Sequence, residues 1–416
     1  MIFTKFLFSY PIHRAVIALL SFASILIAAR VLPTETFSKL MMAAFLAKFL
    51  HISNLGATSG YFVNQYSGDG SLAKGSYSDE QQYISLFYIQ MTLIGFFVLT
   101  AAFIWQSNYL IGAIVFLIIT PLMVVEPFLR YRQNFSFSLA PELLLSLGLL
   151  SVITAELLGF KNIPKYFIYI GTILLFSIFL LFISIRKYKS SLFAITPKLN
   201  FKLYNEILKD GKQLYISSGL FLLASSLDRL CIPHYRSDEE VGLYFLAHQL
   251  SVGSMIFLTA INFLNTVKIG EQKLRDKRFS ENIITNKLKT ASSVAIISYM
   301  VLGIVTYVIE IHFLSGAFTG LTLVVLILGF GLTVFYVSSA VTPLVAYFKQ
   351  LLPLTISMGI AAGFVLFSNL LSYRLDLNLK WLAFGTSFAL STYGFFGIWF
   401  TYFITSKNND IITNKC

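Results

Sequence analysis

The sequence predicts an all-α integral membrane protein, with twelve transmembrane helices in two six-helix lobes related as parallel repeats. Three observations carry this expectation. Of 416 residues, 56% are hydrophobic and only 12% charged, a balance too apolar for a water-soluble globule. Apolar runs of about 20 residues, the length that crosses a bilayer's hydrocarbon, recur along the whole chain. Lys and Arg gather on alternate connections between those runs, as they do where basic loops set topology.

Pro11 and Pro33 bracket the first run, Ile12 to Leu32. Lys5 and Arg14 give it the charged start of a signal peptide. The run is longer than a usual signal core and further spans follow, so an uncleaved first helix is expected. Spans two to six are expected at residues 40–63, 84–105, 109–129, 139–158 and 166–185. A stretch from Arg186 to Lys212, with seven basic and two acidic residues, joins the halves. Six more spans follow at 214–235, 241–267, 288–309, 318–342, 353–373 and 379–405. The expected organisation is an N-lobe at 1–190, a basic cytoplasmic linker at 191–213, and a C-lobe at 214–416.

The formal net charge is +12. With the amino terminus cytoplasmic, 22 of the 31 Lys and Arg fall on that side, seven on the other, and two inside spans. This bias places both termini in the cytoplasm and makes topology, not nucleic acid, the reason for the charge. Each half then starts on the same side and crosses six times, which is the arrangement of parallel repeats. Cys231 and Cys416 suggest no disulfide framework or metal cluster. No phosphate-cradling Walker motif occurs, and no cofactor is expected.

Ionisable groups inside apolar spans are expensive and are retained for a purpose. Asp228 and Arg229 lie late in the seventh span, before a short acidic turn. As i,i+1 neighbours they point to different sides of a helix, so neither is expected to be the other's main partner. In the second span Lys48, His51, Asn54, Thr58, Tyr61 and Gln65 are spaced by three or four, which stacks them on one helix face. That face lines a hydrated cavity, or it hydrogen-bonds neighbouring helices. Glu126 and Arg130 can pair at i,i+4. His248 lies one turn into the eighth span, where it is a proton-binding candidate or a packing histidine. Gly329, Gly331, Gly359 and Gly363 would permit close helix contact, the last two at small-xxx-small spacing.

Asp228-Arg229 near the end of the seventh helix, then an acidic turn and Val241-Gly242-Leu243-Tyr244 opening the eighth, resembles the polysaccharide-transporter family of oligosaccharide flippases. These belong to the superfamily that also holds multidrug exporters and the lipid II flippase. The basic central stretch and Asn54-Leu55-Gly56 extend the resemblance over nearly the whole chain, although Ser38 stands where a glycine is expected before helix two. The resemblance implies export of an isoprenoid-diphosphate-linked oligosaccharide, such as an O-antigen repeat unit on an undecaprenyl-diphosphate-type lipid. It would move between leaflets of a bacterial inner membrane by alternating access.

A diphosphate crossing a bilayer needs cations along its path. Lys48, Arg229 and Arg130 are the substrate-binding candidates, with His51, Asn54 and Thr58 as the polar stripe beside them. Asp228 and His248 are the candidates for coupling to a proton or sodium counter-ion. Membrane lipids, a polysaccharide polymerase and chain-length proteins are the expected partners. Two alternatives stand. A multidrug antiporter would share the lobes but favour an acidic cavity. A membrane polysaccharide polymerase would need a sizeable outward loop, and every outward connection here is short.

Overall fold

Prolines, short polar turns and caps cut the apolar chain into helices. The protein was analysed as a computed structural model, described over residues 2–54, 77–104, 109–131, 139–160, 162–187, 201–255, 258–259, 262, 281–314, 318–347 and 350–413. Among the described residues there is no strand. Helices α1 (Ile2–Val31), α2 (Thr34–Phe49), α3 (Tyr77–Ile104), α4 (Leu110–Tyr131), α5 (Ala140–Leu157) and α6 (Lys165–Lys187) come first. They are followed by α7 (Phe201–Ala224), α8 (Leu227–Cys231), α9 (Asp238–Ser254), α10 (Glu281–Val308), α11 (Leu321–Ser338), α12 (Pro343–Tyr347), α13 (Leu352–Leu375) and α14 (Leu379–Thr413). With α7 and α8 as one crossing element and α11 and α12 as another, the described helices form the twelve-helix layout.

Six described helices are long and apolar enough to cross a membrane alone: Gln81–Ile104, Ala140–Leu157, Lys165–Arg186, Ile284–Phe313, Leu321–Ser338 and Leu352–Leu375. The bent pair Tyr215–Ala224 and Leu227–His234 makes a seventh, and Val16–Val31 and Leu110–Glu126 are shorter apolar helices. The chain is a multi-pass membrane protein. Its apolar residues accordingly point outward as well as inward: on α6, Phe167, Leu175, Ile178, Phe179 and Phe182 are all exposed, a surface suited to lipid.

Three expected spans are corrected. The second is α-helical only to Phe49 and then tightens into a 3₁₀ turn, Leu50–Asn54, with the rest of the expected run outside the described residues. The eighth is interrupted at Met255, whose N–H turns back to the Val252 carbonyl at 3.0 Å, and Leu258, Thr259 and Asn262 beyond it are helical again. The seventh is broken, as described below. The basic stretch between the halves is helical from Phe201 onward, continuous with α7.

Two compact units divide the chain, Met1–Ile216 and Ser217–Cys416. In the first, α4 packs on α2 and α3, and α5 packs on α1 and α6. Small residues set these approaches. A Cβ on Gly112 would meet Leu46 Cβ at 2.8 Å, and one on Gly148 would meet the Tyr169 ring at 2.9 Å. Thr172 donates to the Ser151 hydroxyl at 2.8 Å, tying α6 to α5. Lys165 closes the turn between them on Glu156 at 2.7 Å and on the Phe160 carbonyl at 2.8 Å.

In the second unit α11 and α14 cross most intimately. A Cβ on Gly331 would stand 2.5 Å from Ser387 Cα, and one on Gly394 would stand 2.9 Å from the Val334 carbonyl oxygen. Gly329 also packs closely, against Leu302 at 3.0 Å. The expected contact at Gly359 and Gly363 does not form: a Cβ would find Leu220 only at 3.7 Å from the first and open space at the second. Leu332, Val345, Leu354, Met358, Val365 and Leu390 fill the core around α13 and α14. Glu310, in a π turn after α10, accepts the N–H groups of Gly320 and Thr322 at 2.6 and 2.7 Å and so caps the start of α11.

Candidate functional site

The seventh span bends by 59° between Ala224 and Leu227. Its cause is local. At Ser225-Ser226 the two hydroxyls offer the backbone substitutes for helix hydrogen bonds. Ser225 Oγ donates to the Leu222 carbonyl at 3.3 Å. The Ser226 N–H turns to Leu223 in a 3₁₀ step at 3.0 Å, and the Ser226 backbone (φ −139°, ψ −14°) leaves the helix. Leu230 N–H then takes the Ser226 carbonyl at 3.1 Å and helicity restarts. A break in lipid is tolerated only where the freed backbone groups find partners inside the protein.

Arg229 supplies one. Its Nη2 donates to the Ser225 carbonyl at 2.9 Å and to the Ser226 hydroxyl at 2.9 Å. Asp228, fully buried, is occupied elsewhere. Its Oδ2 accepts from the Tyr244 hydroxyl of α9 at 2.6 Å and from the Thr386 hydroxyl of α14 at 2.8 Å, while Oδ1 accepts the Arg229 backbone N–H at 2.7 Å. The direct approach of the two charges, Arg229 Nε to Asp228 Oδ1, is 4.0 Å. The carboxylate is therefore held by neutral donors and the guanidinium by neutral acceptors, with weak direct pairing.

His248, one turn after Tyr244 on α9, completes the cluster. It is buried, one helical turn from the Tyr244 that binds Asp228, and its Nδ1 has no hydrogen-bond partner among the described residues. Three candidates from the sequence thus converge, Asp228, Arg229 and His248. The sequence names Tyr244 only within the motif that opens the eighth span and does not single out Thr386, Ser225 or Ser226 as site residues. Only the Ser-Ser pair inside an apolar run was a local signal; Thr386 lies 158 residues from Asp228.

A second anchorage lies at the far end of the broken span. Arg236 pairs with Asp376 Oδ1 at 2.8 Å, reaches Glu240 at 3.9 Å and donates to the Leu377 carbonyl. This pins the turn before α9 to the turn between α13 and α14. Tyr235 adds a hydrogen bond to Asn369 at 3.2 Å. The acidic turn read from the sequence is the start of α9: Ser237 accepts the Glu240 N–H at 3.3 Å, and Asp238, Glu239 and Glu240 occupy the first turn, where acids suit the helix dipole.

In the first unit Lys48 lies exposed at the end of α2, and His51 and Asn54 fall in the 3₁₀ turn. Three residues per turn keeps that pair on one side. Gln90 of α3 donates to the Ser53 carbonyl at 2.5 Å and holds the turn. Thr58, Tyr61 and Gln65 lie outside the described residues, as does the side chain of Arg130, whose backbone is in α4. Among the described residues no group of His, Cys, Asp and Glu could hold a metal ion.

No family model matches the chain. A curated relative, "Lsg locus putative protein 1" of Haemophilus influenzae, is 30% identical over 226 residues, covering 52% of this chain and 53% of that one. The chain spans about half the length of that relative. Solved structures are alike over almost the whole chain. The lipid II flippase MurJ in an inward closed conformation aligns over 95% of this chain and 87% of its own, at 16% identity and a TM-score of 0.71. An inward-facing multidrug resistance MATE family transporter of the MOP superfamily aligns over 97% and 99%, at 14% identity and a TM-score of 0.65. The fold is that of MOP superfamily transporters. A third structure, a MOP superfamily transporter from Pyrococcus furiosus described as having reversed binding-pocket polarity, gives 14% identity, 97% and 98% coverage and a TM-score of 0.57.

Proposed function

We propose that the protein is a flippase. It moves an isoprenoid-diphosphate-linked oligosaccharide, an O-antigen or other surface-polysaccharide repeat unit, from the cytoplasmic to the outer leaflet of a bacterial inner membrane. In this reading both termini are cytoplasmic, lobes at 1–190 and 214–416 alternate access, and a polysaccharide polymerase and chain-length proteins receive the product.

The observation that carries the reading is Arg229. It is a buried cation at a break in an apolar span, held by a carbonyl and a hydroxyl, while the adjacent carboxylate is engaged by Tyr244 and Thr386. A diphosphate, charged and matched to the guanidinium fork, makes stronger charge-assisted bonds than either neutral acceptor. Likeness to a lipid II flippase supports a lipid-linked substrate. Lys48, exposed on α2, and Arg130 are proposed as further cations along the path. An inside-negative potential favours outward movement of uncompensated anionic charge by about 2.3 kcal/mol per charge per 100 mV, and Asp228 and His248 are the proposed coupling groups.

A second reading, a multidrug transporter, draws on the likeness to MATE structures. Asp228 would then meet a lipophilic cation, but three donors already occupy its oxygens. The test is accumulation of lipid-linked oligosaccharide in a deletion strain, sorted by leaflet. Build-up facing the cytoplasm, relieved by the intact chain but not by Arg229→Ala at equal abundance, supports flipping. Altered drug tolerance without build-up supports the multidrug reading, and single units stranded in the outer leaflet point to a polymerase.

A further inference from the structure

Two spans of the second unit are interrupted after nearly equal lengths. Helix α9 runs 17 residues to Ser254, and α11 runs 18 to Ser338. At 1.5 Å per residue both come to roughly 25–27 Å. Each interruption is a tightened turn. Met255 N–H takes the Val252 carbonyl at 3.0 Å, and helicity resumes where Thr259 N–H takes the Met255 carbonyl at 2.8 Å. In the other span Ala340 N–H takes Val337 at 3.2 Å and Val341 N–H takes Ser338 at 3.0 Å, before α12 restarts at Pro343. Pro343 has no N–H to return to the Ser339 carbonyl, so it starts a helix more readily than it continues one.

The step at Ala340 turns that N–H away from the Tyr336 carbonyl, its partner in an unbroken helix. Asn262, buried on the resumed part of the eighth span, takes its place. Its Nδ2 donates to the Tyr336 carbonyl at 2.6 Å and to the Ser339 hydroxyl at 2.6 Å, while Ser339 Oγ donates to the same carbonyl at 2.8 Å. A side chain beyond one interruption thus fastens the other. We propose that Leu258, Thr259 and Asn262 beyond the first interruption, and residues 340–347 beyond the second, form one gate leaf, hinged at Met255 and at 338–342 and clasped by Asn262.

Packing separates the leaf from what stands above it. Leu258, Ala340, Val341 and Leu344 share one buried cluster with Ile284, Ala291 and Ala295 of α10, whereas Leu332 of α11 belongs to the cluster around α13 and α14. Helices α10 and α14 are continuous through 28 and 35 residues, and Thr285 of one is hydrogen-bonded to Tyr402 of the other at 2.9 Å. They are posts beside the leaf. Where α10 meets it, Ala291 and Ala295 present small side chains, which permit close approach with little interlocking. Hinges need only a few positions that absorb backbone rotation between such rigid parts, and the two tightened turns supply them. In the proposed topology the leaf ends both spans on the cytoplasmic side, where the substrate of the proposed flippase enters. What the leaf admits rests on that reading; its motion does not.

Hydrogen exchange of the full-length chain in nanodiscs, corrected for intrinsic rates, tests the leaf without a ligand. Amides of 258–262 and of 344–347 should share one protection factor, lower than those of α9 and α11. Asn262→Ala removes a buried donor and should raise exchange in both stretches by about ten- to a hundredfold, leaving 281–295 of α10 unchanged. If that variant does not accumulate, Ser339→Ala, which removes the second donor to the same carbonyl, should give a smaller rise of the same pattern. Pro343→Ala returns an N–H to the Ser339 carbonyl and should lower exchange in both stretches. A change confined to one stretch overturns the single leaf, and a rise that extends into α10 overturns the hinge. Leaflet-sorted lipid-linked oligosaccharide then separates the leaf from the flippase reading. Pro343→Ala at equal abundance should cause build-up facing the cytoplasm; export at the intact rate with the leaf stiffened overturns the gate. No build-up even in the deletion strain removes the flippase reading, and the exchange results alone then decide whether the leaf stands.

Discussion

Tyr244 donates its hydroxyl to Asp228 Oδ2 across 2.6 Å, and does so from a different helix, sixteen residues along the chain. A buried carboxylate is affordable when its lone pairs are met by fixed donors. Two helices, α9 and α14, are thereby fastened to the broken span at one oxygen atom.

Removing those donors has a defined effect. Tyr244→Phe keeps the ring and deletes one charge-assisted hydrogen bond, and should cost about 1.5–3 kcal/mol. Thr386→Val should cost a similar amount. Because both act on one oxygen, the double variant should depart from the sum of the singles by about 0.5 kcal/mol or more. Thermal unfolding in detergent of the four proteins of this cycle checks it; strict additivity would mean that the two bonds are independent.

Glycine substitutions separate close contact from mere sequence pattern. Gly331→Ala should lower the melting temperature or abolish accumulation, since its Cβ would meet Ser387 backbone at 2.5 Å. Gly363→Ala meets nothing within 4 Å and should be neutral, or stabilise α13 by up to about 1 kcal/mol. Melting temperatures of the two purified variants decide between them.

Arg236 and Asp376 form a pin whose halves are unequal. Asp376 holds a left-handed backbone, φ 48°, and is itself largely exposed. Asp376→Asn keeps a residue that tolerates this conformation and loses only exposed charge, a change of about 1 kcal/mol or less. Arg236→Ala also loses the bonds to Glu240 and the Leu377 carbonyl. Hydrogen exchange over 376–381 should rise more for Arg236→Ala than for Asp376→Asn; the reverse order would mean that the carboxylate, not the guanidinium, organises the turn.

Glu310→Gln should uncap α11. The variant keeps one carbonyl acceptor for the Gly320 and Thr322 N–H groups, and should lose about 0.5–2 kcal/mol, the range for helix caps. Faster exchange confined to the first turn of α11 is the expected signature. Unchanged protection there would show that Glu310 is dispensable to the cap.

The helical, membrane-embedded character of the chain was legible because apolar runs and prolines report directly on bilayer-length helices. Leu352–Leu375 against an expected 353–373, and Lys165–Lys187 against 166–185, show how well that signal fixes ends. It failed at the seventh span, where hydropathy stays high across Ser225-Ser226 while the backbone breaks; two hydroxyls change hydrogen bonding more than they change polarity. It failed also at Gly359 and Gly363, because spacing states that contact is permitted and not which helix arrives. Asp228 and Arg229 were visible as costly charges. Their partners were not, since Tyr244 and Thr386 are ordinary residues that matter only through the packing of α9 and α14.

The break in the seventh span also relocates an electrical pole. An unbroken membrane helix ends at the headgroups, where water and salt screen the partial negative charge of its last carbonyls. Here α7 ends at Ala224, inside the protein, so roughly half an elementary negative charge is left in a poorly screened place. Arg229, donating to the Ser225 carbonyl just beyond that end, supplies the opposite sign. Any side chain that takes its place must arrive positively charged, which a neutral donor such as glutamine cannot do.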